Sequence, residues 1–139
     1  MKKYFSFLVL VLVLISCHKD DGPNQNNPYL PNYAVNVQIN MNLPAYNNLI
    51  NAANAAYVSG QGIRGIIVFN TGSGYNAFDA ACPNQALSSC STMTISGINA
   101  VCPCDNKQYS LFTGQAAGMQ YSMKQYRTSV NGNIITIYN

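Results

Sequence analysis

Apolar and polar residues alternate through residues 33–41, which read YAVNVQINM. From Val35 to Met41 every second residue is apolar, and Asn or Gln stands at each position between them. Successive side chains of a β-strand point to opposite faces, so this period of two predicts a strand with one buried face.

Short runs rich in β-branched and aromatic residues follow, separated by turns that contain Gly or Asn. These runs predict further strands at residues 55–59, 64–70, 73–81, 93–95, 98–101, 109–112, 125–130 and 134–138. The last two flank Asn131-Gly132-Asn133, in which Asn-Gly is a strong hairpin signal. The segment that begins at Pro44 predicts a short turn, because its many asparagines disfavour a long helix. The chain is therefore expected to form an all-β domain.

The first 16 residues have the pattern of a signal peptide. Lys2 and Lys3 precede an apolar run over residues 4–15, which is shorter than the roughly 20 residues that span a bilayer. The end of this run, Leu-Ile-Ser-Cys17, resembles a bacterial lipobox. The resemblance implies cleavage before Cys17 and lipidation of that residue, which would anchor the mature chain to a membrane. The alternative is an ordinary secretory signal in which the cysteine is incidental.

Residues 17–32 are expected to form the lipid anchor and a polar tether, and residues 33–139 the folded domain. His18 follows Cys17 at the position where inner-membrane retention signals have Asp, so an outer-membrane lipoprotein is expected. The next three residues, Lys-Asp-Asp, resemble surface-export tags but also suit a solvated linker. The sequence does not decide whether the protein faces the periplasm or the cell surface.

Composition limits the classes of partner. Charged residues are 8% of the chain and hydrophobic residues 48%, which excludes disorder. Removal of Lys2 and Lys3 with the signal peptide lowers the formal charge from +3 to +1, so no basic patch is expected to bind nucleic acid. Ten tyrosines could form a surface for a protein or glycan partner, or could simply pack on the strands.

The domain lacks the residues of common enzyme chemistry. Its only acids are Asp79 and Asp105, and the single histidine of the chain, His18, lies in the tether. A Ser/His/Asp or Cys/His nucleophile set cannot be assembled from these residues. We therefore expect no enzymatic activity, and we expect Asp79 to cap a turn.

Four of the five cysteines lie in two short motifs. The first reads Cys82-Pro-Asn84; 17 residues follow, and the second reads Cys102-Pro-Cys104-Asp105. Together with RGIIVF, FDAACP and the closing GNIITIYN, these motifs resemble a Rieske-type domain over nearly all of the folded part. The resemblance implies a small antiparallel β sandwich or barrel, in which two loops hold a [2Fe–2S] cluster through Cys-x-His and Cys-x-x-His.

The motifs depart from that pattern at both histidine positions. Cys82 and Cys102 stand at the two cysteine positions, but Asn84 and Asp105 stand where the histidines would be. A neutral amide is a poor iron ligand, and a carboxylate adds negative charge to a cluster. Histidine ligation raises the potential of these centres, so a cluster retained here would have lost that property. The resemblance is thus to a degenerate member of the family.

The remaining question is what the cysteines do in the oxidising compartment that export implies. High-potential Rieske domains carry a disulfide between the two loops, and Cys90 and Cys104 stand roughly at its positions. The resemblance thereby implies a Cys90–Cys104 bridge and places Cys82 opposite Cys102, so without a metal we expect Cys82 and Cys102 to form a second disulfide. The alternatives are an electron-transfer protein with a [2Fe–2S] cluster on Cys82 and Cys102, with or without a carboxylate from Asp105, a four-cysteine zinc or iron–sulfur site, or free thiols.

Overall fold

The computed structural model describes residues 26–139. The predicted signal peptide, residues 1–16, and the predicted lipidation site, Cys17, lie outside the described residues. Within residues 26–139, no helix is long and apolar enough to cross a membrane.

Nine strands and one short 3₁₀ helix make up the regular structure of the described residues. The strands are β1 Asn36–Asn40, β2 Ala55–Val58, β3 Ile66–Asn70, β4 Tyr75–Asp79, β5 Thr94–Ser96, β6 Asn99–Val101, β7 Gln108–Ser110, β8 Gln125–Asn131 and β9 Ile134–Tyr138. The 3₁₀ helix, Asn47–Ile50, occupies the asparagine-rich segment that precedes β2. The predicted all-β fold is confirmed.

The strands form two antiparallel sheets. The larger has six strands in the order β1-β9-β8-β4-β3-β2, and the smaller has the order β5-β6-β7. The hairpin of β8 and β9 turns at Gly132 and Asn133, because Asn131 already pairs with Ile134, and Gly132 has the positive φ (58°) that the first residue of such a tight turn favours. The larger sheet contains the first and the last strand, β1 and β9. The smaller sheet, β5 to β7, is therefore an insertion between β4 and β8.

Strand β3 separates two hydrophobic clusters. Ile66 and Val68 pack into a cluster with residues of β1, β2, β8 and β9. Ile67 and Phe69 point to the other face and pack into a cluster that contains Cys82 and residues of the smaller sheet. All five residues of β3 are buried, which explains why its first four residues are continuously apolar and do not alternate; the fifth, Asn70, donates its side-chain amide to the carbonyl oxygen of Leu49 (2.7 Å).

A fully buried carboxylate, that of Asp79 at the end of β4, joins β4 to the loop before β3 and to β8. It accepts hydrogen bonds from the backbone N–H of Ile63 (2.6 Å), Arg64 (3.2 Å) and Ala81 (2.9 Å), and from the hydroxyl of Tyr126 (2.7 Å). The bond from Ala81, two residues ahead, is the turn cap that the sequence predicted for Asp79. The same side chain therefore fixes the point at which the cysteine-containing loop leaves the sheet.

The packed part of the chain begins before Tyr33, inside the segment predicted as a tether. Asn27 and Leu30 are buried, and the Asn27 amide donates to the carbonyl oxygen of Pro83 (2.7 Å). The buried Lys124 ammonium donates to the carbonyl oxygen of Pro31 (3.0 Å) and makes a short hydrogen bond to the side chain of Asn32. The last residues of the polar segment are thus docked on the domain.

We predict that Asp79→Asn destabilises the domain by about 2 kcal/mol. The substitution keeps the volume but replaces one acceptor oxygen by an NH₂ group, which leaves at least one buried backbone N–H without an acceptor, at a cost of about 1–3 kcal/mol. Urea unfolding followed by circular dichroism measures the change. The control is Asp105→Asn, because the exposed Asp105 accepts only one hydrogen bond, from the N–H of Lys107, and Asn can still accept it. Equal stabilities of the two variants would contradict the prediction.

A second prediction concerns stability at high pH. Burial raises the pKa of the Tyr126 hydroxyl above its usual 10.0, and the charge and hydrogen bond of Asp79 raise it further. The folded state therefore keeps a proton that the unfolded state loses, so this contribution to stability is present below pH 10 and is lost as the pH rises above it.

The free energy of unfolding should fall above pH 10 by up to about 1.4 kcal/mol per pH unit from this one group. Tyr126→Phe removes the contribution, so its unfolding free energy should fall less steeply with pH. The matched control is Tyr33→Phe, which alters an exposed tyrosine. Urea titrations between pH 8 and 11 test this, and a variant slope as steep as that of the wild type would refute it.

Candidate functional site

The four cysteines of the domain lie on two loops that face each other. The first loop, residues 80–93, follows β4 and is closed by backbone hydrogen bonds from Cys82 N–H to the oxygen of Ser91 (2.9 Å) and from Met93 N–H to the oxygen of Ala80 (2.7 Å). The second loop, residues 102–107, connects β6 to β7. Both loops therefore start from strands of the framework, which fixes where the cysteines lie.

Two disulfides join these loops. Cys82 is bonded to Cys102, with the Cα atoms 5.6 Å apart, and Cys90 is bonded to Cys104, with the Cα atoms 5.2 Å apart. This is the pairing that the resemblance implied. Each bridge closes a loop for which chain entropy alone predicts a stabilisation of roughly 3 kcal/mol.

The two bridges differ in their exposure to solvent. Cys82 and Cys102 each have 1% of their surface exposed and belong to the hydrophobic cluster of the smaller sheet. Cys90 is exposed and Cys104 is half-buried. The sulfur atoms of Cys82, Cys102 and Cys104 all lie within 4.8 Å of one another, so the buried and the exposed bridge are adjacent.

Asn84, at the first histidine position, connects three segments. Its amide donates to the Tyr109 hydroxyl (2.9 Å) on β7 and to the carbonyl oxygen of Tyr121 (2.7 Å), and its oxygen accepts from the Tyr121 N–H (2.9 Å). Both ends of the side chain are therefore bound within the protein. Burial raises the pKa of Tyr109; the hydrogen bond from Asn84 opposes this rise, and the charge of Asp105 adds to it.

Asp105, at the second histidine position, is exposed and takes part in the turn of its own loop. Its carboxylate accepts a hydrogen bond from the N–H of Lys107 (3.0 Å), while Asn106 between them adopts a positive φ of 58°. The backbone of the loop is closed by hydrogen bonds from Cys102 N–H to the oxygen of Lys107 and from Asn106 N–H to the oxygen of Cys102. The carboxylate thus has a structural partner within its own loop.

These donors do not fit a cluster of the Rieske type. That cluster needs two thiolates and two imidazoles, whereas the sulfurs of Cys82 and Cys102 are bonded to each other and residues 26–139 contain no histidine. The Asn84 amide is fully used in hydrogen bonds to tyrosines. Ligation of iron by Cys82 and Cys102 would require their bridge to break, and ligation by Asn84 would require its hydrogen bonds to break.

Polar side chains that the sequence analysis did not identify surround the sulfurs. The Gln85 amide donates to the Cys102 sulfur (3.5 Å). The Ser88 hydroxyl lies 3.2 Å from the Cys90 sulfur and 3.8 Å from the Cys104 sulfur. The Ser91 hydroxyl lies 3.9 Å from the Cys104 sulfur. In the sequence, only the three serines around Cys90, in Ser-Ser-Cys-Ser, indicate that hydroxyl groups lie near these sulfurs.

No protein-family model matches the sequence, and no curated protein matches it. Among solved structures, the chain is similar to a chain of the complex of reduced oxygenase and oxidized ferredoxin in carbazole 1,9a-dioxygenase. The TM-score is 0.51 at 15% identity, over 74% of this chain and 92% of that chain. The ferredoxin of carbazole 1,9a-dioxygenase from Nocardioides aromaticivorans IC177 is similar with a TM-score of 0.48 at 14% identity, over 76% of this chain and 97% of that chain. The antiparallel topology and the first of these similarities show that this chain has a Rieske-like β fold.

Proposed function

We propose that this protein is an exported lipoprotein, anchored to the outer membrane through Cys17, whose Rieske-like domain has a structural or binding role. In this proposal two disulfides replace the iron–sulfur cluster, and the domain is not an enzyme. The observation that carries the proposal is that residues at the positions of the cluster ligands are already bonded to other groups of the protein. Cys82 is bonded to Cys102, and the side chain of Asn84 is bound to Tyr109 and Tyr121.

The disulfides supply the connection between loops that a shared cluster would otherwise give. Each bridge joins the first loop to the second, one in the hydrophobic interior and one toward solvent. Asn84 adds the connection to the segment around Tyr121. The loops are therefore cross-linked without a metal, which suits a domain whose function is to hold a fixed surface outside the cell membrane.

The proposed anchor rests on the lipobox-like sequence before Cys17. The number of residues between Cys17 and the domain then limits how far the domain lies from the lipid. Nine residues separate Cys17 from Asn27, the first buried residue of the described chain. A fully extended chain of this length spans roughly 35 Å at most. Since Asn27 contacts Pro83 of the first loop, the proposal places the cysteine-containing loops near the lipid.

A second candidate function is electron transfer by a [2Fe–2S] cluster held by Cys82, Cys102 and Asp105. The observation that favours it is the group of three sulfurs, those of Cys82, Cys102 and Cys104, within 4.8 Å of one another. This candidate requires reduction of the buried disulfide and release of Asp105 from the turn that it caps.

We predict that the isolated mature protein has no thiols that react with maleimide until it is reduced and unfolded. Mapping of the intact protein should link Cys82 to Cys102 and Cys90 to Cys104, because these pairs join the loops in the folded domain. Iron and acid-labile sulfide, measured on protein purified without air, should be absent. Four free thiols together with iron and visible absorbance would refute the proposal and support electron transfer.

We predict that Cys17→Ser prevents lipidation and releases the protein from the membrane fraction, because the residue would lose the thiol that carries the acyl chains. Metabolic labelling with a fatty acid and fractionation of membranes measure both effects. Ser16→Ala, which keeps Cys17 and a small residue before it, should remain labelled and membrane-bound. A Cys17→Ser protein that stays on membranes would mean that the apolar run of residues 4–15 is an uncleaved anchor.

A further inference from the structure

The two disulfides are placed so that an electron pair can pass from one to the other. Cys90 is exposed, and its partner Cys104 is half-buried, whereas Cys82 and Cys102 are almost completely buried. The sulfur of Cys104 lies within 4.8 Å of both sulfurs of the buried bridge. A reagent in solution can therefore reach the exposed bridge first, and Cys104 connects that bridge to the buried one.

Hydrogen-bond donors face the sulfurs that would carry negative charge if the bridges opened. The hydroxyls of Ser88 and Ser91 lie 3.8 and 3.9 Å from the sulfur of Cys104, and the amide of Gln85 donates to the sulfur of Cys102 at 3.5 Å. A disulfide sulfur is a weak acceptor, whereas a thiolate is a charged one, so these donors stabilise the opened form more than the closed form.

From these contacts we propose that the paired disulfides form a site of thiol–disulfide exchange that accepts two electrons from a dithiol. A thiolate of the dithiol attacks the sulfur of Cys90, the Cys90–Cys104 bond breaks, and its electron pair leaves on the Cys104 sulfur. The Cys104 thiolate then attacks Cys82. The Cys82–Cys102 bond breaks, a Cys82–Cys104 bond forms, and the Cys102 thiolate takes up a proton beside the Gln85 amide.

Two observations direct the second attack to Cys82 rather than to Cys102. A bond between Cys102 and Cys104 would close a ring over a single intervening residue, Pro103, which leaves little room for normal disulfide geometry. The amide of Gln85 is aimed at Cys102, so Cys102 is the sulfur that is stabilised as the leaving thiolate. Both favour Cys82–Cys104 as the new bridge.

The exchange needs a second thiol of the reductant, which a dithiol supplies from the same molecule. After the two attacks, Cys90 carries a mixed disulfide, and Cys104 is bonded to Cys82 and cannot release it. The second thiolate of the dithiol attacks the mixed disulfide, frees Cys90 and leaves the reductant as a disulfide. The dithiol loses two electrons and two protons, and the protein gains two thiols, those of Cys90 and Cys102, while it keeps one bridge.

This inference goes beyond the proposed structural or binding role, although it rests on the same two disulfides. The test uses the mature wild-type protein, treated with one equivalent of dithiothreitol, quenched with acid and labelled with N-ethylmaleimide. The remaining bridge is then reduced and labelled with iodoacetamide. Trypsin releases residues 65–107 as one peptide that contains all four cysteines of the domain, and tandem mass spectrometry assigns each label.

The expected result is maleimide on Cys90 and Cys102 and iodoacetamide on Cys82 and Cys104. Maleimide on Cys90 and Cys104, with the Cys82–Cys102 bridge intact, would overturn the inference and leave the proposed function standing. Free thiols before any reductant is added would instead contradict the proposed function. With one equivalent of glutathione, a monothiol, the reaction should stop at a mixed disulfide on Cys90.

Two variants test the route. In Gln85→Leu the ratio of maleimide on Cys102 to maleimide on Cys104 should fall by roughly fivefold, the factor given by one hydrogen bond of ordinary strength. Gln125→Leu, at an exposed position of β8, should leave the ratio unchanged. In the double variant Cys90→Ser/Cys104→Ser the buried bridge should react with dithiothreitol at least about tenfold more slowly than in wild type, since no neighbouring thiolate can attack it. An unchanged rate of reduction would contradict the transfer from the exposed bridge to the buried bridge through Cys104.

Discussion

The arrangement of the site depends on the hydrogen bonds that the buried carboxylate of Asp79 accepts. It receives four hydrogen bonds at the end of β4, from the loop that leads into β3, from the residue after the turn and from Tyr126 on β8. A charge in the interior is tolerated only when such partners surround it. The chain must therefore assemble these segments together, and the first cysteine-containing loop leaves the sheet in one defined direction.

The strands could be predicted from the sequence because their signals are local. Alternation before Met41, β-branched runs and Asn-Gly turns each occupy a few consecutive residues, and the nine predicted strands match β1 to β9 with small shifts at their ends. One shift has a clear cause. The predicted strand 109–112 ends at Ser110, because the chain turns there: the carbonyl oxygen of Ser110 accepts hydrogen bonds from the N–H of Thr113 (3.3 Å) and of Gly114 (2.7 Å).

The docking of the tether and the surroundings of the sulfurs could not be predicted in the same way. Asn27 and Lys124 look like surface residues in a sequence, and they are buried because each finds a backbone carbonyl far along the chain, at Pro83 and at Pro31. The contact between Gln85 and the Cys102 sulfur likewise depends on how two loops meet. The disulfide pairing was expected only through the resemblance, since four cysteines alone allow three pairings.

The docked segment before Tyr33 has a mechanical consequence. A pull on the chain from its N-terminal side reaches the domain first at the hydrogen bond from Asn27 to Pro83, one residue from Cys82. Polar contacts of this kind separate one at a time under load, whereas the bridge at Cys82 is covalent and holds both loops. Once the contacts of Asn27 and Asn32 have separated, tension passes along the chain to β1, which is held by its pairing with β9. The cross-linked loops then carry no load, and the β1–β9 pairing is the part of the domain that bears the force.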